Sequence, residues 1–134
     1  MKLWRPIPVF LVLWLAISIS CAKAPHLKPG YEPPEEAVAN YFQAMQWQDY
    51  DEARLYVASE AIAGFDEFVK QNSKNLKIIE FKIQDTQITD DGYKARVKLK
   101  RSYIILPSVT QIQDEIEQTW KLIDGKWLLS GPPY

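Results

Sequence analysis

The stretch YKARVKLKRSYIILPSVTQIQDEIEQTWKLIDGKWLL, residues 93–129, decides the architecture. Its apolar residues recur with a period of two. Tyr93, Ala95, Val97, Leu99, Tyr103 and Ile105 mark one long strand, Ile112, Ile116, Trp120 and Leu122 a second, and Trp127 with Leu129 a short third. Asp124-Gly125 has the composition of a two-residue hairpin turn, as does Asp91-Gly92 just upstream, and Pro107-Ser108 supplies the reversal between them. With Pro107-Ser108 taken as a two-residue loop, Leu99 faces Ile116, Tyr103 faces Ile112 and Ala95 faces Trp120 on one side of the ribbon. On the other side Lys98 faces Glu117 and Lys100 faces Glu115. A slip of one residue would destroy all these pairings together. Lys94 opposite Lys121 is a like-charge pair that the register leaves unexplained.

Upstream, Ile79, Phe81 and Ile83 begin a further strand that continues to Ile88. Ile83 and Ile88 differ in parity, so a bulge between them is required to keep both on the apolar face, and a bulge bends a sheet. Helical signals precede it. Pro34 suits a first helical turn, Glu35 and Glu36 favour its positive end, and Val38, Tyr41, Phe42 and Met45 follow at i, i+3, i+4, i+7 spacing. Asp49 and Glu52 have the spacing of a second helix start, with Ala53, Tyr56 and Val57 apolar behind it. Ile62, Phe65, Phe68 and Val69 form a third helical stretch, ended by the polar residues of 70–74. The expected fold is α+β: three N-terminal helices in the concave face of a bent, four-stranded antiparallel meander, over residues 34–134.

The amino terminus reads as an address. Lys2 and Arg5 precede an apolar run from Ile7 to Ile19, ending in small residues before Cys21. The run is shorter than the roughly 20 residues a spanning helix needs. Residues 1–20 are therefore read as a signal peptide. Ser18-Ile19-Ser20-Cys21 resembles the lipobox of bacterial lipoproteins, in which a cysteine receives a diacylglycerol thioether before cleavage. The resemblance departs at Ser18, where that family has Leu, Val or Ile. It implies lipidation of Cys21, the chain's one cysteine, with Ala22 implying an outer-membrane destination facing the periplasm. The alternative is a leader cysteine discarded by cleavage after Ala24. Residues 21–33, with Pro25, Pro29, Gly30 and Pro33, form a tether.

Composition narrows the function classes. The chain has 134 residues, room for one domain after leader and tether. Lys2 and Arg5 leave with the leader, so 16 basic residues become 14 against 17 acidic ones, a net charge of −3. That leaves no basic field for nucleic acid. His26, the sole histidine, lies in the tether, which excludes histidine-based hydrolysis and histidine-rich metal sites. Asp85, Asp90 and Asp91 match no calcium loop. No cofactor motif occurs.

The order of elements, the opening Pro34-Glu35-Glu36-Ala37-Val38 and the closing hairpin from Trp120 through Asp124-Gly125 to Trp127 resemble the nuclear-transport-factor-two-like (cystatin-like) superfold. Within it, the chain is similar to uncharacterised bacterial lipoproteins. That superfold hosts isomerases, dehydratases, hydrolases, transport factors and binding modules, so function does not travel with the resemblance. It does imply where to look: family enzymes keep acid and base residues on the concave face. There the register places Arg101 opposite Asp114, with Gln118 further along; Trp120 and Tyr41 complete the candidate ligand-binding set. Trp47 and Trp127 are further aromatics that could line a pocket.

Two readings follow. One is a non-enzymatic, lipid-anchored envelope module that binds a small molecule or an envelope protein through the cone mouth or the outer sheet face. The other is an isomerase or hydrolase with Asp114 as base and Arg101 with Tyr41 or Tyr103 as polarising donors. The bland alternative for Arg101 and Asp114 is a partly solvated ion pair that projects past the core near the Pro107 end of the strands, worth at most about 1 kcal/mol. A homodimer through the outer sheet face is a third arrangement, although alternating Lys98, Lys100, Glu115 and Glu117 make that face look solvated.

Overall fold

Each helix begins and ends for a local reason. In the computed structural model, which describes residues 32–133, α1 runs from Pro34 to Gln46 with Glu35 and Glu36 in its first turn. It stops where Gln48 adopts a left-handed conformation, φ 59°, and the amides of Gln48 and Asp49 reach back to the carbonyls of Met45 and Ala44 at 3.1 and 2.9 Å. This is a Schellman closure made without glycine. The side chain of Gln48 then donates to Ser73 O, fastening the end of the third helix to the first. Asp49 caps α2 (Tyr50–Arg54) by accepting from Glu52 N at 3.1 Å, as its spacing predicts. A 3₁₀ turn over Ser59–Ala61 leads into α3 (Ile62–Asn72).

The four strands are β1 (Leu76–Thr89), β2 (Lys94–Ile105), β3 (Ile112–Ile123) and β4 (Lys126–Leu129), paired in sequence order and antiparallel throughout. The β2–β3 register is the one read from the charges, Leu99 on Ile116, Lys98 on Glu117 and Lys100 on Glu115. Asp124 and Gly125 have positive φ and form the expected two-residue turn between the paired Ile123 and Lys126. Asp91 and Gly92, also at positive φ, lie instead in a four-residue connection between the paired Thr89 and Lys94 that opens with a 3₁₀ turn over Asp90–Gly92, a correction to the two-residue turn expected there. The reversal at Pro107-Ser108 differs from the expected two-residue loop. Regular pairing ends at Tyr103 and Ile112, and the connection opens into an exposed loop over residues 106–111. Proline removes one amide, and the Thr110 amide bonds Ser108 Oγ instead of a ladder carbonyl.

The expected bulge lies at Gln84, between Ile83 and Asp85, and a second one lies at Ile79, between Ile78 and Glu80. The second corrects the reading of β1. Ile78 is buried, whereas Ile79 is 46 % exposed. Both isoleucines are apolar, so the sequence could not choose between them. The paired bulges bend the sheet around α1, whose Val38, Tyr41, Phe42 and Met45 are all buried. Phe42 stacks on Phe81 at 5.3 Å, and Tyr41 meets Trp120 edge-on at 5.7 Å. The segment after α2 closes the other side: Leu129 N donates to Tyr56 O and Ala58 N to Leu129 O, a parallel bridge between Val57 and Leu129. Trp127 Nε1 donates to Glu32 O at 2.9 Å, fixing where the chain enters the domain.

The two-bulge register makes a direct prediction. Ile78→Ala is expected to destabilise the domain by about 2–4 kcal/mol, and Ile79→Ala by less than about 1 kcal/mol. Chemical denaturation of both variants checks it, and a reversed order would restore the single-bulge register.

Candidate functional site

Because side chains alternate along β2 and β3, the inner face carries Ala95, Val97 and Leu99, then Arg101, and opposite them Trp120, Gln118 and Ile116, then Asp114. Ala95, Val97, Leu99, Trp120 and Gln118 are buried, with Ile116 packed against the same core. Arg101 and Asp114 lie one step beyond the apolar floor, where a charged pair can exist only if its groups satisfy one another. They do. Arg101 Nε and Nη2 donate to the two carboxylate oxygens of Asp114 at 2.8 and 2.9 Å. The guanidinium stands 5.2 Å from the ring centroid of Tyr103. The Arg101 side chain is only 10 % exposed, and that of Asp114 31 %. The pair is thus enclosed at Arg101 and open to solvent at Asp114.

Gln118, 1 % exposed, is also committed. Its amide donates to Pro133 O at 3.3 Å, and its carbonyl oxygen accepts from Trp120 Nε1 at 3.3 Å. This places the carboxyl-terminal segment against the inner side of β3, and Pro133 is itself buried there. Trp120 is fully buried and serves the core. Tyr41 is the exception. Its ring packs among Phe42, Phe65 and Trp120, yet its buried hydroxyl meets no protein hydrogen-bond partner. Burial pushes the phenol well above its ordinary range, and the Arg101 charge acts in the opposite direction. A phenol so placed remains a neutral donor at physiological pH.

The structure therefore brings Arg101 and Asp114 together, with Tyr103 against Arg101, and places Gln118 and Trp120 in a separate buried network. Cys21, the leader 1–20 and residues 21–31 of the tether lie outside the described residues. Among the described residues, no group of three His, Cys, Asp or Glu side chains is placed to hold a metal ion.

Two surface grooves flank α2. One, of ≈ 400 Å³, lies between α2 and the β3–β4 hairpin and is bordered by Glu32, Leu55, Tyr56 and Trp127. The other, ≈ 380 Å³, runs along α1 beside Asn40, Ala44 and Trp47, and the two share Glu52 and Tyr56. Trp47, weighed above as a pocket residue, stands 78 % exposed at the rim of the second. Helical spacing carries the signal for this: Trp47 falls five residues beyond Phe42, off the buried stripe.

No family model matches the chain, and no curated protein matches it by sequence. Solved structures do. A SEC-C motif containing protein from Rhodopseudomonas palustris is 15 % identical over 73 % of this chain and 75 % of its own, with a TM-score of 0.63. An LEH-like epoxide hydrolase from M. tuberculosis is 15 % identical over 78 % of this chain and 80 % of its own, TM-score 0.58. An NTF-2 like protein of unknown function from Shewanella oneidensis is 12 % identical over 72 % of this chain and 90 % of its own, TM-score 0.56. At these identities the likeness is one of fold: an α+β cone of the NTF2-like type.

A double-mutant cycle tests the pair. Arg101→Met or Asp114→Leu alone is expected to cost about 1–3 kcal/mol by leaving a half-buried charge unpaired, and the double variant to recover most of the loss. Equilibrium denaturation measures all four proteins; additive losses would mean that the two side chains do not act as a pair. Tyr41→Phe is expected to leave stability unchanged or raise it by about 1 kcal/mol, because it removes an unsatisfied buried hydroxyl. A melting temperature several degrees lower would mean that the hydroxyl has a partner in solution.

Proposed function

We propose that this chain is a lipid-anchored binding module of the bacterial envelope that performs no catalysis of its own. The observation that supports it is the closure of the inner polar groups on one another. A general base must be aimed at the proton it takes, and a bidentate pair aims the carboxylate at its partner instead. Both oxygens of Asp114 accept from Arg101, and both ends of the Gln118 amide are bonded. The anchoring half of the proposal rests on the leader and on Cys21. It fits a domain whose entry point is pinned by the bond from Trp127 to Glu32, with a proline-rich segment before it.

One observation favours the enzymatic reading as an alternative, an isomerase or hydrolase using Arg101 and Asp114. The Tyr41 hydroxyl is a neutral, unpartnered donor in the same interior as Arg101, and a substrate carbonyl or epoxide oxygen that displaced Asp114 would find two donors there.

Both halves can be measured on the full chain. Metabolic labelling with a palmitate analogue is expected to mark the wild-type protein in the membrane fraction and to miss Cys21→Ser; label on that variant, or release of the wild type by osmotic shock, would overturn the anchoring. In assays with epoxide and unsaturated ketone substrates, wild type and Asp114→Asn are expected to give the same background rate. A rate that falls about 100-fold or more in Asp114→Asn would establish the enzymatic reading instead.

A further inference from the structure

The sheet contains two cross-strand pairs of lysines, and only one of them is accounted for. Lys94 stands opposite Lys121, and Lys121 Nζ turns away to the carboxylate of Glu60 at 2.6 Å, ahead of α3. Lys82 of β1 stands directly opposite Lys100 of β2, and among the described residues neither makes an ion pair. Like charges directly opposite one another destabilise a ladder. Glu115 is the carboxylate beside Lys100 in register, but it accepts from Gln84, the bulge residue, at 3.3 Å.

The bulge at Gln84, which lies between Lys82 and the β1–β2 turn, sets this arrangement. With Phe81 and Arg101 turned inward as a register pair, alternation turns Lys82, Lys100, Glu80 and Ser102 to the outer face, where Gln113 of β3 pairs with Ser102. These five residues border a groove of ≈ 270 Å³. Ser102 is buried at 4 % exposure, and its Oγ accepts from Gln111 Nε2 at 2.7 Å, so its own hydroxyl hydrogen is left to donate. The carboxamide of Gln113 supplies another donor.

We propose that this groove is a binding site for a phosphate-class oxyanion, held between Lys82 and Lys100 with Ser102 and Gln113 donating. Two opposed ammonium groups match the charge of a dianion rather than that of a carboxylate, and with a hydroxyl and a carboxamide they surround a ligand whose three terminal oxygens point in different directions, as those of a phosphate monoester do. A bound dianion removes the repulsion between the lysines. Glu80 opposes it from the groove wall. The site does not depend on the non-catalytic reading; only one of its two sources, a phospholipid headgroup as against free phosphate, rests on the chain being held at a membrane.

The test titrates inorganic phosphate into the purified full chain and follows binding by calorimetry. Saturable binding is expected, weakened about tenfold in Lys82→Gln and in Lys100→Gln and tightened severalfold in Glu80→Gln. Without phosphate, both lysine variants should melt at or above the wild-type temperature, because each relieves the like-charge contact. No saturable binding, affinity unchanged in both lysine variants, or lower melting temperatures would overturn the site. Flotation of the Cys21→Ser chain with phosphatidic acid vesicles then separates the sources. Flotation abolished by Lys100→Gln supports the site with a headgroup as its ligand, and phosphate binding without flotation supports it with soluble phosphate.

Discussion

The pairing of β2 with β3 is the constraint on which the rest depends. Ten consecutive cross-strand partners fix which face of each strand meets α1, and the two faces agree: apolar or neutral against apolar on the inside, lysine against glutamate at Lys98 and Lys100 on the outside. A period of two leaves no intermediate register. The same alternation that places Trp120 under Tyr41 carries Arg101 and Asp114 to the inner face further along, where α1 no longer covers them fully. The ion pair is therefore a consequence of the ladder, and its bidentate geometry is the arrangement that lets two charges remain there.

Bending supplies the second constraint. A four-stranded sheet with its β1 edge in one plane could not wrap Phe42 and Tyr41. The bulges at Ile79 and Gln84 turn β1, bringing Phe81 into a stack with Phe42. Each bulge also has an effect on the outer face. Gln84 reaches across to one oxygen of Glu115, the register partner of Lys100. By shifting the ladder one residue, the bulge at Gln84 also sets Lys82 opposite Lys100, and the bulge at Ile79 turns Ile79 outward. The curvature that closes the core thus concentrates positive charge in a groove on the convex side.

Within the cone, satisfaction and availability are in tension. Gln118, Trp120 and Pro133 form a buried polar chain that holds the carboxyl-terminal segment against the sheet, and Arg101 with Asp114 is closed on itself. Such groups specify a structure. Among the described residues the Tyr41 and Thr86 hydroxyls are the buried side-chain groups left unpaired, and the first, in the same interior as Arg101, separates a filled cone from one able to accept a ligand. The similar structures of this fold include a hydrolase and a protein of unknown function, so overall shape does not decide between those outcomes.

By itself the sequence determined the α+β class, the helix cap at Asp49, the two-residue turn at Asp124-Gly125, the reversal of the chain near Asp91-Gly92, the β2–β3 register and the pairing of Arg101 with Asp114. All of these rest on local chemistry or on a period short enough to be read along one strand. The tertiary structure alone decided four other things: which of Ile78 and Ile79 enters the core, how Lys121 escapes Lys94 by reaching Glu60, where Gln118 finds Pro133, and that Lys82 meets Lys100. Each depends on residues distant in the chain, or on a bulge whose position two adjacent isoleucines leave degenerate. Pattern along a strand fixes which face a side chain takes; only packing against the rest of the molecule fixes what it meets there.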